Sequence, residues 1–121
     1  MSLLAAAFAL QLAVPAPAQA PAGSLSFDVQ CMLLLGALAQ NGPEDARTAM
    51  QAGSFYYLGR IDGRTPAVDL ERAFTVEADV LERADTDRIV RSCGAFMEQR
   101  GQAVQDIGAN IMAREERRRT Q

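Results

Sequence analysis

The 121-residue sequence contains no histidine, no tryptophan and no lysine, only two cysteines, and few aromatic residues. Without histidine there is no imidazole base, no Ser-His-Asp triad and no His-ligated metal. Cys31 and Cys93, far apart in the chain, are too few for a zinc site built from cysteine alone. A phosphate-cradling glycine loop is also missing, because Gly59 and Gly63 fall in a helical pattern that no strand precedes. Carboxylates, tyrosine, serine and arginine are what remain for chemistry, and no catalytic set, metal site or cofactor is expected.

Charge is uneven. The 12 basic residues are all arginine and face 15 acidic ones, for a net charge of -3. Four of those arginines crowd into the last segment, REERRRTQ, so residues 114–121 read as a charged tail and the rest of the chain is more acidic than the total. Phosphate binding needs a basic face on the folded body, which argues against a nucleic-acid partner.

The N-terminus carries an uncharged, apolar run from Leu3 to Val14, followed by small residues broken by prolines. This is the layout of a secretory signal, expected over residues 1–20 with cleavage between residues 18 and 22. The run falls short of the roughly 20 residues that span a bilayer, so membrane attachment is expected only if the segment stays uncleaved. Residues 21–113 then form one helical domain, and the expected location is the periplasm.

Apolar residues recur at helical spacing nearly everywhere, which predicts an all-α bundle of about four helices with the last one long. In the first, about residues 26–40, Phe27, Cys31, Leu34, Leu35 and Leu38 form one stripe, with Ser26 as N-cap. The second, about 43–62, places Ala46, Ala49, Met50, Gly53, Tyr57 and Ile61 on one face with Tyr56 at its edge. Phe55 and Leu58 lie opposite, so this helix is expected to be central and covered on two sides. Gly53 and Gly59 suggest close approach of a neighbouring backbone, and Gly63 a left-handed helix end before Thr65-Pro66 opens the third helix, about 66–83. The fourth runs from about Thr86 to Arg117 with Asp85 as N-cap. Its stripe is Val90, Cys93, Met97, Val104, Ile107 and Ile111.

Three charges interrupt these stripes: Arg60 in the second helix, Glu77 in the third and Arg100 in the fourth. An ionised group facing a core must be paired and hydrogen-bonded. If the three met, an Arg-Glu-Arg site with surplus positive charge could hold an anion. Otherwise, each reaches from a stripe edge to water or forms a structural ion pair. Gly94, Gly101 and Gly108 recur every seven residues along the fourth helix, which points to another helix packed on that seam, from the same chain or from a second copy in a homodimer. Cys31 and Cys93 each sit in an apolar stripe, and in an exported chain they are expected to be bridged, first helix to fourth.

The segments FDVQCMLLLGALA, FYYLGRIDGRTP and RSCGAFMEQRGQAVQDIG resemble a group of small, uncharacterised exported proteins of high-GC Gram-negative bacteria. The plan of a signal, a helical domain and two distant cysteines is also loosely similar to periplasmic acid-stress chaperones, and the aromatic-glycine segment to secretion-system immunity proteins. The uncharacterised group implies no function of its own; the expected function is a module of the cell envelope that binds another protein as chaperone, inhibitor or immunity factor, which an exposed apolar groove around Phe55, Tyr56 and Tyr57 would support. An anion site at Arg60, Glu77 and Arg100 and a carboxylate-based hydrolase are the alternatives.

Overall fold

Four helices and the turns between them make up the computed structural model, which describes residues 19–121: α1 (Leu25–Asn41), α2 (Glu44–Asp62), α3 (Leu70–Leu81) and α4 (Thr86–Arg119). The expected signal segment lies outside the described residues apart from Gln19 and Ala20. No described helix is long and apolar enough to cross a membrane.

Caps decide where the helices begin. α1 starts at Leu25 because the Ser24 hydroxyl, not that of Ser26, accepts from the Phe27 N–H at 3.2 Å. Ser26 is thereby placed inside the helix, where its hydroxyl turns to another partner. α3 starts at Leu70, four residues later than the expected opening at Pro66. Thr65-Pro66 is a cis bond within the connection, and the Asp69 carboxylate captures the Arg72 N–H at 3.1 Å. Gly63 does end α2, but in a right-handed conformation (φ -75°, ψ -1°), with its N–H on the Gly59 carbonyl at 3.0 Å. The left-handed end expected there does not form. Asp85 caps α4 as expected, accepting from the Arg88 N–H at 3.1 Å. The charged segment from Arg114 to Arg119 is a continuation of that helix.

The central helix is α1, not α2. Phe27, Asp28, Val29, Gln30, Cys31 and Met32 are buried in succession, which requires cover on every side, and α2, α3 and α4 each pack against it. Leu35, Tyr57, Ile61, Ile89 and Cys93 complete the core. Phe27 meets Tyr57 and Phe96 edge-on, with ring centroids 6.0 and 5.6 Å apart. Cys31 and Cys93 form the expected disulfide between α1 and α4, with Cα atoms 5.6 Å apart and both sulfurs fully buried. α4 is 34 residues long, about 51 Å, and runs well past the body it is pinned to.

Candidate functional site

Of the residues singled out by pattern, Tyr57 belongs to the core. Its ring is fully buried and its hydroxyl donates to the Cys93 carbonyl at 2.6 Å. Burial raises the phenol pKa above its ordinary value, with the neighbouring Tyr56 and Asp28 acting in the same direction. Phe55, on the opposite side of α2, is exposed. Tyr56 lies between them, stacked edge-on against Tyr57 at 5.1 Å.

Arg60, Glu77 and Arg100 do not meet. The Arg60 Nε donates to Asp28 Oδ1 at 3.0 Å, and Arg64, four residues on and just past the end of α2, donates to Asp28 Oδ2 at 2.5 Å. Both guanidinium groups also donate to the Gly23 carbonyl, at 3.3 and 3.1 Å, and that of Arg60 lies 4.7 Å over the Phe96 ring. The hydrogen bond to Asp28 raises the Arg60 pKa further above its high ordinary value. Gly23, at a φ of 82°, turns its carbonyl into this cluster in the backbone region that glycine adopts most readily. The Arg-carboxylate-Arg arrangement therefore exists, but around Asp28, and its work is to seal the start of α1 against the end of α2. The clue in the sequence was the i, i+4 pair Arg60 and Arg64.

Glu77 is buried in the midst of its stripe, and its partners are neutral. Ser26 Oγ donates to one carboxylate oxygen at 2.6 Å and Gln30 Nε2 to the other at 2.7 Å. The nearby cleft of about 730 Å³ is lined by Arg64 and Arg72 but also by Asp69 and Glu77, so opposite charges balance on its wall. Among the described residues no group of His, Cys, Asp or Glu is placed to hold a metal ion.

Arg100 is exposed on α4 and joins Tyr56 in a different place, a mostly apolar groove of about 690 Å³ between α2 and α4. Ala49, Ala52 and Gly53 form its α2 wall; Met97, Gly101 and Val104 form its α4 wall. Small residues on α2 leave the groove open. Gly53 is pressed close, since a Cβ there would lie 2.9 Å from Leu35 Cδ1, whereas at Gly59 it would meet nothing within 4 Å.

From this groove the apolar stripe of α4 continues outward into solvent. Val104, Ile107, Ile111 and Met112 keep 65%, 56%, 60% and 75% of their surface exposed. The stripe beyond Met97 was expected to be core; it is surface, because α4 leaves the bundle there. At the seam glycines Gly94, Gly101 and Gly108 an added Cβ would likewise meet no neighbouring element within 4 Å, so among the described residues no helix packs on them. Compared with protein-family models, curated proteins and solved structures, the chain matches none.

Proposed function

We propose that this chain is a non-enzymatic, protein-binding module of the cell envelope, chaperone-, inhibitor- or immunity-like in kind, working in the periplasm. One observation carries the reading. Half of a long helix leaves the body with four large apolar side chains facing water, and they run on from an apolar groove that ends at Tyr56. Contiguous apolar surface of this sort is where proteins bind proteins.

The buried disulfide supports an oxidising, non-cytosolic setting, and with the N-terminal apolar run it favours the periplasm. The binding surface differs from the one the aromatic cluster suggested. Tyr57 is consumed by the core, and the surface runs from Tyr56 along Val104 and Ile107 instead.

The test is a photo-crosslinking amino acid placed at Ile107 in the exported chain, with Asp79 on α3 as control. A discrete adduct from Ile107, absent from Asp79 and lost when Tyr56 is changed to Ala without loss of melting temperature, supports the reading. The absence of any Ile107 adduct removes it.

A further inference from the structure

We propose that the occupant of this surface is a second copy of the chain, docked as an antiparallel pair of α4 helices. The inference rests on the binding-module reading and names its partner.

Size is the first argument. The stretch from Glu98 to Arg119 is about 33 Å long and about 11 Å across, so covering half its circumference removes about 570 Å² per copy, roughly 1,100 Å² in all. That clears the ~1,000 Å² expected of a specific interface before the α2 wall of the groove is added.

Shape is the second. With a two-fold axis beside Val104, Ile107 of each copy falls opposite Gly101 of the other, and Ile111 falls opposite Met97. The same register sets Arg100 against Gly108 and Arg114 against Gly94. Each seam glycine thus receives a large side chain of the second copy, and none is obstructed by its own chain. Spacing of this kind lets helix backbones approach closely.

Charge fixes the direction. Residues 114–119 hold four arginines against two glutamates, and Glu115 is shared by Arg118 and Arg119 at 3.3 and 3.7 Å. A parallel pair would stack these basic ends on each other. An antiparallel pair separates them, lays each along a body more acidic than the total of -3, and opposes the two helix dipoles.

Sedimentation equilibrium on the chain purified from the periplasm, over a concentration series, tests this together with two variants. The wild type is expected to sediment at twice its chain mass. Ile107→Asp buries unpaired charges across the axis and raises the dissociation constant by at least about tenfold. Gly101→Leu fills the gap that Ile107 of the second copy needs and weakens the dimer similarly, while its melting temperature at monomeric concentration holds or rises, because that site is open in the single chain. A wild type that stays monomeric at hundreds of micromolar, or a dimer indifferent to both variants, overturns the proposal. If the monomeric chain still yields an Ile107 adduct with a different envelope protein, the binding-module reading stands and only the second copy falls. A monomer with no adduct removes both.

Discussion

Removing the bridge between Cys31 and Cys93 should bring the domain close to the edge of unfolding. The two residues are separated by 62 positions, so their link removes about 4 kcal/mol of loop-closure entropy from the unfolded chain. A domain of this size has a total stability of about 5–15 kcal/mol. The structure adds a local reason. Past Met97, α4 contributes nothing to the core, so its hold on the bundle rests on Ile89, Val90, Cys93, Phe96, Met97 and the hydrogen bond from Tyr57 of α2. The double variant Cys31→Ala/Cys93→Ala, which leaves no thiol to re-pair, should therefore lose about 4 kcal/mol in urea unfolding followed by far-UV circular dichroism. With a slope near 1.5 kcal/mol per molar, the midpoint falls by about 2.7 M. Hydrogen exchange on the same variant should show α4 opening before α1 and α2. A loss below about 1 kcal/mol would refute the reasoning, since it would mean that the unfolded chain is already confined or that α4 is anchored by something else.

Three further outcomes are expected. Tyr57→Phe should cost about 1 kcal/mol for the hydrogen bond to the Cys93 carbonyl. Because burial raises the folded-state pKa of Tyr57, the unfolded chain ionises first; the wild type keeps this contribution below about pH 10 and loses it as pH rises above that, so the gap between wild type and variant should hold up to about pH 10 and narrow progressively above it. Asp28→Asn should destabilise by about 2–3 kcal/mol in urea titration, below the full cost of breaking a buried pair because Arg60 and Arg64 keep partial contact with water. Gly53→Ala and Gly59→Ala should move melting in opposite directions: the first costs about 1 kcal/mol against Leu35 and Met97, and the second gains about 0.5–1 kcal/mol of helix propensity in open space.

The helices were legible because their apolar residues recur at three- and four-residue spacing, and the bridge was legible because both cysteines sat in such stripes. Boundaries failed where two caps competed. Ser24 and Ser26 are equally good as residue types, as are Thr65 and Asp69 within a chain-reversing connection, and only the backbone path decides between them. The centrality of α1 was hidden because Asp28 and Gln30 look like surface residues; they are buried because Arg60 of α2, Arg64 just past its end and Glu77 of α3 arrive to hydrogen-bond them. Pattern marked Arg60 and Glu77 as out of place but could not match them, since docking geometry selects the partner. It sent Arg60 to Asp28 and Glu77 to Ser26 and Gln30.

The outer half of α4 shows most clearly what periodicity leaves open. A stripe reports that a face is apolar and says nothing of what covers it. Val104, Ile107 and Ile111 are β-branched and lose side-chain freedom in a helix, and Gly101 and Gly108 each cost about 1 kcal/mol relative to alanine. Among the described residues neither choice is offset, because the apolar side chains face water and the glycines have open space beside them. Gln99, Gln102 and Ala109, away from that face, are ordinary helix formers. A helix that only needed to stay soluble and helical would carry such residues all round. Residues that weaken an isolated helix are instead gathered on one face, and they are the kinds that suit close contact: branched side chains that pack, and glycines that make room for them. The sequence of α4 makes physical sense when that face is covered by another helix.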